Sequence, residues 1–198
     1  ERNLVAVAEA GDDESRLLQS ADLAMYRAKA TRSGGYVHYD PTMHSDLLAR
    51  IQLEEDLRAA IGDGHLRVAY QPIFALATGR MTSVEALLRW HDSVRGTVAP
   101  AKFISVAEES GLIHEMGRFV LATALRQLAD WRRLPGGADL RCSVNVSASE
   151  LKGDDLVAFI GDQLVATGVP AARLVLEITE SVLVGDTEAT PATRRRTR

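Results

Sequence analysis

The sequence contains a single cysteine, Cys142, so no disulfide can close within the chain, and without a CxxC pair no thiolate zinc motif is available. A cytoplasmic setting fits that cysteine usage. Long apolar runs are also missing: nothing approaches the run of about 18 residues that reads as a membrane span. Glu1-Arg2-Asn3-Leu4 has none of the features of a signal peptide. There is no excess of basic charge either, and a net charge of -4 argues against binding a nucleic-acid polymer by bulk electrostatics. His38, His44, His65, His91 and His114 stand at no metal-ligand spacing. Ser143, Ser147 and Ser149 come without the His/Asp pattern of a serine hydrolase. What remains is ordinary globular material, since 46% hydrophobic residues are enough to build a core. Glu1 in place of Met gives the expectation that the piece begins inside a longer chain.

Leu4 to Ala8 reads as a short buried strand ending at Gly11-Asp12-Asp13. A helix is expected next: Leu17, Leu18, Ala21, Ala24, Met25 and Ala28 recur at helical spacing, with Asp12 or Asp13 as N-cap and Gly34-Gly35 as the stop. Tyr36 to Tyr39 reads as a last strand before residues 42–62, a charged linker helix carrying Leu47, Leu48, Ile51, Leu53, Leu57 and Ile61. From Leu66 the period changes to two. Leu66 to Ile73 and Met81 to Trp90 read as partner strands around a turn at Gly79, with Pro72 consigned to an edge or a bulge. A helix from Pro100 to Glu109 stops at Gly111. A longer helix from Glu115 to Arg133 carries the stripe Met116, Val120, Ala124, Leu128 and Trp131. Leu140 to Ser147 is a strand, Ser149 to Thr167 a helix, and Leu174 to Glu180 the next strand. Alternating strands and helices of this length predict an α/β fold with parallel crossovers, either a barrel or an open sheet.

The chemistry starts at Glu85-Ala86-Leu87-Leu88-Arg89-Trp90, where strand alternation puts Glu85, Leu87 and Arg89 on one face. Taken alone, one such pair is better explained as a strand-end salt bridge than as a site. Asn145 and Glu177 recur near the ends of the two following strands, and three buried polar groups in succession are costly unless they have work to do. Two carboxylates and an amide oxygen form a hard donor set suited to Mg²⁺ or Mn²⁺, and Arg89 beside them suits a phosphate.

Several stretches together resemble the EAL-type cyclic-di-GMP phosphodiesterases: Tyr70-Gln71-Pro72-Ile73, Glu85 to Trp90, Phe103-Ile104, Ala107 to Ile113, Ser143 to Ser147, and Leu176 to Ser181. The resemblance covers roughly residues 50–184 and implies a (β/α)8 barrel that hydrolyses cyclic di-GMP to the linear dinucleotide through metal-activated water. It implies that Glu85, Asn145 and Glu177 ligate Mg²⁺ or Mn²⁺, that Gln71 and Arg89 contact substrate, and that Glu180 supports a loop beside the site. It also implies a homodimer through this domain. Leu17 to Lys29 is similar to the closing helix of GGDEF-type diguanylate cyclase domains, which implies a phosphate contact for Lys29, although a solvated helix-face lysine is the favoured account of it.

These resemblances set the expected organisation: residues 1–41 the remnant of a cyclase domain, 42–62 a linker helix, 63–184 an incomplete TIM-type barrel with about four of its eight strands, and 185–198 a divergent Arg/Thr-rich tail. The family's later ligands, among them an aspartate pair on its fifth strand, have no counterpart before Arg198. The tail accordingly reads as a truncated or frameshifted end, and the chain by itself is expected to be inactive and prone to self-association. A non-catalytic cyclic-di-GMP receptor or interaction module is the alternative.

Overall fold

The computed structural model describes residues 14–30, 39–40, 42–152 and 155–178. The chain forms two compact units, Glu1–Glu55 and Asp56–Arg198. In the first, α1 (Glu14–Ala30) forms where the helical spacing predicts it, with Leu18 exposed. The expected strand at Leu4 to Ala8 lies outside the described residues, as do Tyr36 to His38; Tyr39, the last residue of that expected strand, has no regular structure. The helix α2 (Thr42–Gly62) starts where the Asp40 carboxylate accepts a hydrogen bond from the Thr42 amide at 2.8 Å.

The second unit is built on one mixed sheet. β1 (Leu66–Ala75) and β2 (Arg80–Asp92) form an antiparallel hairpin, and β3 (Gly96–Val98) adds to the far end of β2. α3 (Pro100–Ser110) and α4 (Ile113–Arg132) lead into β4 (Arg141–Val146). Next come α5 (Ala148–Leu151), α6 (Leu156–Thr167) and β5 (Leu174–Ile178). The order is β1-β2-β4-β5, with β4 parallel to β2 and β5 parallel to β4. Pro72 lies on β1, the edge strand, where a missing N–H costs no ladder bond on the open side, and a bulge follows at Ile73/Phe74.

One face of the sheet is covered by helices. Val84 and Ala86 of β2, and Cys142, Val144 and Val146 of β4, pack against Val120, Leu121, Ala124, Leu125 and Leu128 of α4. Each buried aliphatic side chain of this kind contributes about 1.5–3 kcal/mol. Trp131, the last member of the predicted stripe, is only partly buried and meets Tyr70 edge-on at 4.8 Å. The turn between α3 and α4 needs Gly111, whose φ of 79° is the left-handed conformation that ends a helix.

Two expectations give way to the structure. Ser149 to Thr167 is not one helix: α5 opens at Ser147 through a capping box with Glu150 and is over after one turn, and α6 begins afresh at Leu156. The sequence Gly153-Asp154-Asp155 between them is a poor helix former. The sheet also carries β3, a three-residue strand that the sequence reading left out.

Cys142 has no exposed surface, and burial pushes its thiol up to about 11. A rise of that size leaves roughly a thousandth of it as thiolate at pH 8. Native chain is therefore expected to resist Ellman's reagent at pH 8 and to react promptly in urea, which absorbance at the thionitrobenzoate band reads directly.

Candidate functional site

Because Val84, Ala86, Cys142, Val144 and Val146 pack under the helices, their neighbours of opposite parity share the other face of the sheet. That face carries Glu85, Leu87 and Arg89 from β2, Ser143 and Asn145 from β4, and Val175 and Glu177 from β5. Register sets them side by side: Glu85 pairs with Ser143, and Asn145 pairs with Glu177. The hairpin adds Gln71, which pairs with Glu85. Four of the residues singled out from the sequence are thus brought to one patch, and Arg89 stands four residues beyond Glu85 along β2 on the same face.

The details support a polar site. The Asn145 side-chain amide donates to Glu85 Oε1 at 2.8 Å, which leaves Glu85 Oε2 and the Asn145 side-chain carbonyl oxygen without a hydrogen bond among the described residues. Glu177 is exposed and its carboxylate makes no hydrogen bond or ion pair with the described residues. Arg89 is half-buried, its Nη1 donates to the Leu88 carbonyl at 2.9 Å, and among the described residues no carboxylate pairs with it. The Ser143 hydroxyl is buried on the same face, with no hydrogen-bond partner among the described residues.

An all-oxygen set of two carboxylates, one amide carbonyl and an orphaned hydroxyl fits a hard divalent cation better than zinc or copper. Among the described residues no three His, Cys, Asp or Glu side chains gather, so this set depends on its amide member. Glu180 lies outside the described residues, and so does the side chain of Lys29, whose backbone belongs to α1.

Reading the sequence alone overlooked Glu150, although Ser147-x-x-Glu150 carries the capping-box signature. Its carboxylate is 4% exposed and accepts from the Ser147 amide at 2.9 Å, while the Ser147 hydroxyl accepts from the Glu150 amide at 3.3 Å. This lock closes the turn two residues after Asn145. Gly117 of α4 makes room for it, since a Cβ there would lie 1.7 Å from Glu150 Oε1. Gly117→Ala is expected to cost about 1–2 kcal/mol by breaking the cap. Urea denaturation of Gly117→Ala, Glu150→Ala and the double variant checks this, with strongly non-additive losses as the expected sign of a shared contact.

A largely apolar cavity of about 200 Å³ lies beneath this end of the sheet, with Leu87, Arg89, Asn145, Ser147 and Glu150 among its walls. The larger cavity, about 1060 Å³, is at the opposite strand ends, beside Arg80, Arg141 and Arg173. It holds none of the carboxylates discussed above, so size is a poor guide to the chemistry here.

The family pattern described as EAL domain matches residues 54–197. The chain belongs to the EAL domain family. The match starts within α2 and runs through the Arg/Thr-rich stretch that the sequence reading set apart. Among EAL relatives, the bifunctional diguanylate cyclase/cyclic di-GMP phosphodiesterase MucR of Pseudomonas aeruginosa is 37% identical over 182 residues, covering 90% of this chain and 26% of MucR. The cyclic di-GMP phosphodiesterase PdeR of Escherichia coli is 36% identical over 180 residues, covering 91% of this chain and 27% of PdeR. The solved structure of PaMucR phosphodiesterase in complex with c-di-GMP superposes with a TM-score of 0.64 at 38% identity, covering 68% of this chain and 54% of that one. This EAL chain therefore spans about a quarter of the length of those two relatives and about half of the solved domain. Among the described residues, no helix is long and apolar enough to cross a membrane.

Proposed function

We propose that this chain forms part of a cyclic di-GMP phosphodiesterase, with Glu85, Asn145 and Glu177 as the ligands of a Mg²⁺ or Mn²⁺ ion and Arg89 and Gln71 as contacts to the dinucleotide. The observation that carries the reading is the Asn145–Glu85 hydrogen bond at 2.8 Å, which joins two strands into one oxygen-rich patch with Glu177 in register beside it. The names of the relatives support the substrate: MucR and PdeR are cyclic di-GMP phosphodiesterases, and the solved MucR domain holds that dinucleotide.

In this reading the chain's own groups do three things. Arg89 binds a phosphate of the substrate through a planar, permanently charged fork. Gln71 presents amide donors and an acceptor from the neighbouring strand. The Glu85–Asn145 contact holds both side chains in one orientation before any ligand arrives, which spares the cost of ordering them on binding. A divalent ion, when bound, supplies Lewis-acid stabilisation of charge on the phosphoryl oxygens and a more acidic water.

The finer organisation belongs to the same proposal. Residues 1–41 are read as the end of a GGDEF-type cyclase domain. Support comes from MucR, a bifunctional cyclase and phosphodiesterase whose alignment covers 90% of this chain and so extends beyond the EAL match. The β2-β4-β5 parallel array is read as part of a TIM-type barrel, because parallel strands joined by helices curl in that sense.

Titrating the purified chain with cyclic di-GMP in a calorimeter, with and without Mg²⁺ or Mn²⁺, tests the reading, with chromatography of the same mixtures for the linear dinucleotide. Saturable binding strengthened by the divalent ion is expected. Absence of heat at high micromolar ligand would overturn the assignment. Binding without conversion would favour the receptor role, for which the small described donor set is the specific argument.

A further inference from the structure

We propose that Arg67 and Arg89 form a two-armed clamp for a phosphodiester group, so that Arg67, a residue outside every motif quoted above, is a second substrate contact. In the β1–β2 hairpin these two residues are directly opposite one another. Opposite residues in an antiparallel pair have Cβ atoms about 4.5–5.5 Å apart and share a face, and like charges there repel. The face is the one that carries Gln71 and Glu85, as the same register shows.

Among the described residues nothing answers that repulsion. Arg89 donates to a backbone carbonyl, and the Arg67 side chain makes no hydrogen bond or ion pair with the described residues. Four other arginines of this unit meet carboxylates, Arg95 with Asp56, Arg118 with Asp155, Arg133 with Asp130 and Arg173 with Asp139, while Arg126 and Arg132 donate to backbone carbonyls; what sets Arg67 and Arg89 apart is that they lie directly opposite each other. Two unmatched guanidinium groups, juxtaposed on the face that holds the Glu85–Asn145 contact, ask for an external anion. A phosphodiester is suitable because each planar fork can direct two N–H groups at phosphate oxygens. Arg67 is exposed and Arg89 half-buried, so the first can close over a ligand seated on the second.

The identity of that ligand as a cyclic dinucleotide rests on the proposed function, whereas the clamp itself rests on the register. Two measurements on the chain with Arg67→Gln and Arg67→Lys separate them. In calorimetry with cyclic di-GMP, Arg67→Gln is expected to bind on the order of 10- to 100-fold more weakly, with Arg67→Lys recovering part of the loss. In thermal denaturation, inorganic phosphate is expected to raise the midpoint of the unchanged chain above that in chloride of matched ionic strength, and to raise that of Arg67→Gln less. Unchanged dinucleotide affinity in Arg67→Gln would overturn the clamp and leave the proposed function standing. A phosphate effect that needs Arg67, in a chain that does not bind cyclic di-GMP, would keep the clamp and remove the proposed function. Failure of both measurements with the unchanged chain would remove both.

Discussion

Arg89→Ala is expected to weaken cyclic di-GMP binding by about 10- to 100-fold, the loss of charge-assisted hydrogen bonds worth about 1.5–3 kcal/mol. The size follows from where Arg89 sits. It is half-buried near the end of β2, and among the described residues its one hydrogen bond is to the Leu88 carbonyl and no carboxylate pairs with it. Its guanidinium therefore meets a phosphate without first breaking an ion pair. Arg89→Lys keeps the charge but loses the fork, so it should fall between the two. Glu85→Gln supplies the contrast. Glutamine can still accept the hydrogen bond from Asn145, so the patch keeps its shape, yet the negative charge that attracts a divalent ion is gone. That variant is expected to bind the dinucleotide in the absence of metal at least as well as the unchanged chain, and to lose the strengthening by Mg²⁺ or Mn²⁺. Calorimetry of the three variants, each with and without the ion, reads both effects. Full affinity in Arg89→Ala would show that the phosphate goes elsewhere.

The site was legible in the sequence to the extent that period two is legible. Asn145 and Glu177 each interrupt an apolar strand near its end, Glu85 lies near the middle of the longer β2, and alternation alone put Glu85 and Arg89 on a common face. Register is what alternation cannot supply. That Gln71 opposes Glu85, and that Arg67 opposes Arg89, depends on how many residues the hairpin turn consumes, and a shift of one would have sent Arg67 to the helix-covered face. The long helix α4 was equally readable because its stripe is sustained over about four turns. The split between α5 and α6 was missed for a local reason: the apolar residues of both pieces fit one helical period, and the capping box at Ser147 and Glu150 was the overlooked sign that the first piece starts on its own terms. β3 is too short for any period to show, and exists because the turn at Asp92 folds the chain back on β2. There the Asp92 carboxylate accepts from the Val94 and Arg95 amides at 2.9 and 2.6 Å.

Trp90→Ala is expected to destabilise the unit formed by Asp56–Arg198 by about 3–5 kcal/mol, enough to unfold much of it at physiological temperature. Trp90 is 1% exposed, is flanked in the sheet by Leu66 on one side and Val98 on the other, and packs edge-on against Phe103 of α3 at 5.8 Å. Truncation to alanine opens a cavity that four elements share, and none of them can close it without shifting the sheet. The indole N–H adds a second term. It is buried and has no hydrogen-bond partner among the described residues, a standing cost of about 1–3 kcal/mol that the ring's contacts must outweigh. Trp90→Phe removes that unsatisfied donor while keeping an aromatic ring against Phe103, so it should lose far less than Trp90→Ala. Urea denaturation followed by the fluorescence of Trp131, the remaining tryptophan in both variants, measures the two losses on one scale. Because Trp90 directly follows Arg89, the two variants also separate fold from site. Trp90→Phe should keep dinucleotide affinity close to that of the unchanged chain, whereas Trp90→Ala should lose binding in step with its folded fraction. Equal stability of the alanine and phenylalanine variants would mean that the cluster around Phe103 does not hold β2 in place.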